Sequence, residues 1–119
     1  MLEKGKQVFT VTVRYNPQLG NYLMDGGLAT IVSVGRGTFR VKAKSLDGSV
    51  KTSTYCICGG QHILRERNES AYGSASRFAF DCREKALQFL NKKRVEYAGY
   101  ESRQKTCDAY IDLVNEGLA

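Results

Sequence analysis

Phe39-Arg40-Val41-Lys42-Ala43-Lys44-Ser45-Leu46-Asp47-Gly48-Ser49-Val50-Lys51-Thr52-Ser53-Thr54-Tyr55 decides how the first half of this chain reads. Alternating runs flank Asp47-Gly48, a pair that tolerates positive φ, so the stretch reads as a β-hairpin with a two-residue turn. Residues facing each other across that ladder have numbers summing to 95. Phe39 then faces Cys56, Val41 faces Thr54 and Ala43 faces Thr52, on the core side. Arg40 opposite Tyr55, Lys42 opposite Ser53 and Lys44 opposite Lys51 make the outward side. Like charges directly opposed destabilise a ladder by up to about 1 kcal/mol. An anionic partner relieves that repulsion.

Upstream, Leu28–Val34 reads as a strand that turns at Gly35-Arg36-Gly37 into Thr38–Lys44. A two-residue loop there leaves Leu28, Thr30, Val32 and Val34 inward. Ala29, Ile31 and Ser33 join the basic side, with Arg36 at its tip. Ile31 is apolar, which suggests that helices cover part of that side. Gln7–Tyr15 alternates as a first strand, with Phe9, Val11, Val13 and Tyr15 on one face. Asn16–Gly27 holds the only proline and reads as a long loop, anchored by Tyr22, Leu23 and Met24 or containing a short strand. The fourth strand is Ser49–Ile57, and His62–Arg67 adds a short fifth.

After a linker at Asn68–Ser76 the period changes. Asp81 with Glu84 three residues on makes a capping-box-like pair. Leu87, Leu90, Arg94 and Tyr97 share one helical face, with Ala86 and Phe89 beside it. Cys107, Tyr110, Ile111, Val114 and Leu118 share another. A break at Gly99 gives two helices. A 3.5-residue spacing through residues 81–116 also fits one long helix with a dimeric seam, and two helices are preferred.

At 119 residues with 42% hydrophobic and 25% charged composition, the chain reads as one globular domain: a β part at 1–67 and a helical part at 77–119 packed on it. No apolar run is long enough for a membrane span, and the Met-Leu-Glu-Lys-Gly-Lys start has no apolar core for export. A cytoplasmic setting follows, with reduced thiols. Residues 1–65 carry nine Lys/Arg against three acids, the whole net charge of +6, while residues 66–119 carry nine of each sign. That asymmetry points the first half at an anionic partner. Arg36, Arg40, Lys42, Lys44, Lys51 and Tyr55 are the candidate binding residues, combining cations with an aromatic as nucleic-acid platforms do.

Tyr55-Cys56-Ile57-Cys58-Gly59-Gly60-Gln61-His62 offers Cys56, Cys58 and His62 as metal ligands, which Cys82 or Cys107 completes to the four that zinc takes. The Cys-x-x-Cys knuckle is absent. Cys56 falls on the core face opposite Phe39 and Cys107 on an apolar helix stripe, where thiols act as small hydrophobes. No cofactor is therefore expected, zinc being the alternative. A single histidine, with no nucleophile–base spacing, argues against an enzyme.

The Lys4-Gly5-Lys6 start, its strand, and Ala29-Thr30-Ile31-Val32-Ser33-Val34-Gly35-Arg36-Gly37-Thr38-Phe39-Arg40-Val41 resemble the small Tudor-like or KOW-like barrel proteins of tailed phages and prophages. The likeness covers about the first half, and the Phe80–Leu90 helix start resembles their tail. The chain departs from them in its 16–27 segment, its Cys-x-Cys stretch and its extended second helix. The fold class expected is α+β: a small, strongly bent antiparallel sheet or Src-homology-three-like barrel (residues about 6–65) followed by two C-terminal helices. The resemblance implies a phage protein in the bacterial host cytoplasm that occludes a host protein or nucleoprotein complex, such as a CRISPR nuclease in an anti-defence role. Direct binding of DNA or RNA is the alternative, and a zinc-stabilised structural module a third. Dimerisation through the C-terminal helix is compatible with each.

Overall fold

The computed structural model of the chain describes residues 2–44, 47–58, 61–64, 68–70 and 73–118. Among these, seven strands form one antiparallel sheet: β1 (Gln7–Asn16), β2 (Gly20–Val34), β3 (Thr38–Lys44), β4 (Val50–Cys58), β5 (Gln61–Leu64), β6 (Asn68–Ser70) and β7 (Gly73–Phe80). Strand neighbours follow the order β1-β2-β3-β4-β5-β7, and β1 also pairs with β7, so the sheet curls round and closes on itself. Helices α1 (Arg83–Glu96) and α2 (Glu101–Gly117) follow. The fold class is the α+β arrangement expected, a closed small barrel carrying two helices.

Three local expectations are corrected. Asn16–Gly27 is mostly strand: β1 and β2 form a long hairpin whose tip is held by Asn16, its side-chain oxygen accepting the N–H groups of Gln18 (2.8 Å) and Leu19 (3.2 Å). Such a side-chain turn needs only a short loop, leaving the punctuating residues free to pair. Gly73–Ser76, placed in a linker, opens β7, the strand that closes the barrel. Its small residues Gly, Ser and Ala carry little strand signal. At α1 the cap position is Cys82, without a side-chain cap, while Asp81 lies 3.9 Å from Lys85 one turn on. The break between the helices is where glycine permits it, Gly99 sitting at φ +90°.

Apolar residues form two cores separated by the barrel wall. Inside, Val8, Ala29, Ile31, Phe39, Val41, Tyr55 and Ala79 are buried together. Outside, Phe9 and Val11 of β1, Leu23 of β2 and Phe80 of β7 meet Ala86, Leu90, Tyr97, Cys107, Val114 and Leu118 of the helices. β1 thus sends Val8 and Thr10 inward and Phe9 and Val11 to the helices, and all four are buried. Fully burying one such side chain contributes roughly 1.5–3 kcal/mol. The described members of the outer core come from β1, β2 and β7, so the helices sit on that side and leave the outer face of β3 and β4 open. No described helix is long and apolar enough to cross a membrane.

Candidate nucleic-acid interface

The ladder between β3 and β4 pairs Phe39 with Tyr55, Arg40 with Thr54, Val41 with Ser53, Lys42 with Thr52, Ala43 with Lys51 and Lys44 with Val50. Facing numbers sum to 94, one less than the sequence register. The reason lies in the turn. Asp47 spends its carboxylate on Ser49, accepting the backbone N–H at 2.8 Å and the hydroxyl at 2.6 Å. Those hydrogen bonds hold the Asp47 carboxyl below its usual range. The ladder stops at Lys44 and Val50, with Asp47 and Ser49 bonded to each other in the turn rather than across a two-residue hairpin. Ser45 and Leu46 lie outside the described residues.

A one-residue shift moves every side chain of a strand to the other face. Tyr55, expected outside, is fully buried and stacks on Phe39 with ring centroids 5.6 Å apart and 19° between planes. Burial pushes its phenol up to about 12. Lys51 pairs with Ala43 on the inner-face row, at the rim of the barrel. Cys56 pairs with Thr38, away from Phe39, and is half-buried, so it is not the core thiol expected. On β2 an extra residue between Ile31 and Ser33 changes the phase: Ile31 pairs with Val41, Ser33 with Arg40 and Thr30 with Lys42. Ala29 and Ile31 are consequently inside the barrel, and the exposed apolar residue beside the cations is instead Val50, opposite Lys44.

What remains on the outer face is a row of three exposed cations, Arg40, Lys42 and Lys44, on alternate residues of β3. Alternate strand residues recur every ~6.5–7 Å. Thr30 and Ser33 flank the row from β2, and Thr52 and Thr54 from β4. Arg36 is exposed in the adjoining turn, where the Gly35 N–H donates to Thr38 at 2.8 Å. Among the described residues, none of these four cations is joined to a carboxylate. The structure thus brings together Arg36, Arg40, Lys42 and Lys44 and separates Lys51 and Tyr55 from them. The flanking hydroxyls were missed in the sequence reading. Their signal was the Thr-x-Thr alternation of β4, legible only once the register is known.

Cys56 lies on the outer face, opposite Thr38 and next in row to Thr54, while the other described sulfurs are elsewhere. Cys107 is buried on α2, and its thiol is raised by that burial; Cys82 precedes α1. The β4–β5 register pairs His62 with Ile57, one position out of phase with Cys56 and Cys58. The side chains of Cys58 and His62 lie outside the described residues. No group of three metal-ligating side chains occurs among those described.

Compared with protein-family models, curated proteins and solved structures, the chain matches none.

Proposed function

We propose that this chain is a non-enzymatic binding protein of phage type that sets its outer β3–β4 face against a host nucleoprotein, a CRISPR-type defence nuclease being the target class the resemblance favours. The observation supporting this reading is the row Arg40–Lys42–Lys44, exposed, joined to no carboxylate among the described residues, with Arg40 and Lys42 edged by threonine and serine hydroxyls. Cations and hydroxyls without an aromatic platform suit phosphate oxygens better than bases. Such contacts orient a partner on a nucleic-acid backbone without reading its sequence. Binding of free DNA or RNA by the same row is the second reading.

Affinity capture from bacterial lysate, with and without nuclease treatment, separates the two. A stoichiometric protein partner that persists after nuclease supports the nucleoprotein reading, while recovery of nucleic acid alone supports the second. A face that retains neither, in lysate or in titration with mixed DNA and RNA at low salt, sinks both.

A further inference from the structure

We propose that the open end of the barrel is a binding site for a small organic oxyanion, a phosphate or carboxylate, gripped by the Tyr55 hydroxyl and the Arg77 guanidinium. A cavity of about 680 Å³ opens there, with Thr10, Gly27, Val41, Lys51, Tyr55 and Arg77 in its wall. That volume is in the range of small-molecule sites.

Among the polar groups in this wall, the Thr10 hydroxyl donates to the Gly27 carbonyl at 3.4 Å. Tyr55 Oη and Arg77 Nε are buried without a close, well-aligned partner, and the Thr10 and Arg77 side chains lie within weaker hydrogen-bonding reach of the phenol. Thr10 and Arg77 lie near enough to favour a phenolate, yet burial outweighs them. Leaving buried donors unmade is destabilising, by about 1–3 kcal/mol each and more for charged groups. The phenol oxygen can accept from Arg77, which leaves the phenol's own hydrogen as the donor that calls for an acceptor. Lys44 and Lys51 add positive charge at the rim against Asp25 and Asp47, and Asp47 is already engaged by Ser49. The acceptor is therefore an anion.

The backbone is also distorted at this point. Between Thr10 and Thr12 the β1–β2 register slips, and Asp25 in that bulge takes φ +53°, outside the range ordinary residues prefer. Bulges of this kind gather beside binding sites, where they redirect a strand. Gly27 follows on the cavity wall, and a Cβ added there would meet no atom within 4 Å. The space beside it is open.

The site lies on the inner side of β3–β4, opposite Arg40 and Lys42 of the outer row and sharing only Lys44 at its rim, so Tyr55 and Arg77 can be tested apart from the function proposed above. The test is calorimetric titration of the full chain with inorganic phosphate and with benzoate. Saturable binding of either probe is expected, phosphate indicating a tetrahedral ligand and benzoate a planar one. Tyr55→Phe keeps the ring and removes the donor, and Gly27→Val fills the open space; each is expected to weaken binding at least about tenfold. Lys92→Gln, exposed on α1 away from both sites, is expected to change nothing. Failure of the wild type to bind either probe overturns the proposal. So does binding that survives both Tyr55→Phe and Gly27→Val, which would assign the anion to surface lysines.

Discussion

The Tyr110 hydroxyl on α2 accepts the backbone N–H of Gly26 in the β2 bulge at 3.1 Å, joining positions 84 residues apart. The ring lies so close that a Cβ at Gly26 would stand 2.5 Å from its Cε1 and Cζ atoms. Real side chains do not approach so closely, so Gly26→Ala must displace Tyr110 from the outer core. A loss of about 1–3 kcal/mol is expected in chemical denaturation. Tyr110→Phe, which removes only the hydrogen bond, is expected to lose about 1 kcal/mol. Equal stability of Gly26→Ala and wild type would show that the ring is not seated there.

Arg103 ties α2 to the tip of the β1–β2 hairpin. Its guanidinium donates to the carbonyl oxygens of Leu19 and Asn21 and lies 4.6 Å from the Tyr100 ring centroid. An ammonium cannot reproduce this planar, forked contact. Arg103→Lys is expected to destabilise by about 1–2 kcal/mol, visible as a lower denaturation midpoint. Faster amide exchange at residues 17–21 is expected alongside, and an unchanged hairpin would refute the tie.

Two phenols make the fold sensitive to alkali. Burial pushes both Tyr55 and Tyr97 from about 10 to about 12, and Tyr97 also donates to Asn21 Oδ1 at 3.0 Å. The folded chain keeps protons that the unfolded chain releases above pH ~10, so stability is intact below that pH and falls as pH rises towards 12. The loss is at most about 3 kcal/mol per phenol. Phenolate absorbance titrating at the free-tyrosine position while the fold persists would contradict this.

On the outer face, Arg40→Gln, Lys42→Gln and Lys44→Gln together are expected to flatten the salt dependence of binding by about one counterion for each cation that no longer meets a phosphate. Folding stability should change by less than about 0.5 kcal/mol per site. Lys51→Gln, on the inner-face row, should leave the salt slope in place. A larger effect from Lys51 than from Lys42 would argue for the other face.

How much of this was legible in the sequence depended on whether a residue's side is set within its own strand or across to the next. Arg40, Lys42 and Lys44 lie on one strand, and alternation alone puts them together. Tyr55 and Lys51 reach that face only through the cross-strand register, which the Asp47–Ser49 turn shifts by one. Ile31 was misplaced for a similar reason, by the bulge at Val32. The helices were readable from their apolar stripes and from Gly99. β7 was not, since Gly73-Ser74-Ala75-Ser76 has the composition of a loop and becomes a strand by pairing with β1 and β6.

β1 is buried on both sides, serving the barrel through Val8 and the helical layer through Phe9 and Val11. Cutting the chain after Phe80 would therefore strip one flank from a strand that the barrel cannot spare. Neither piece can be transplanted as a self-sufficient module, and heat should dismantle them in one concerted transition.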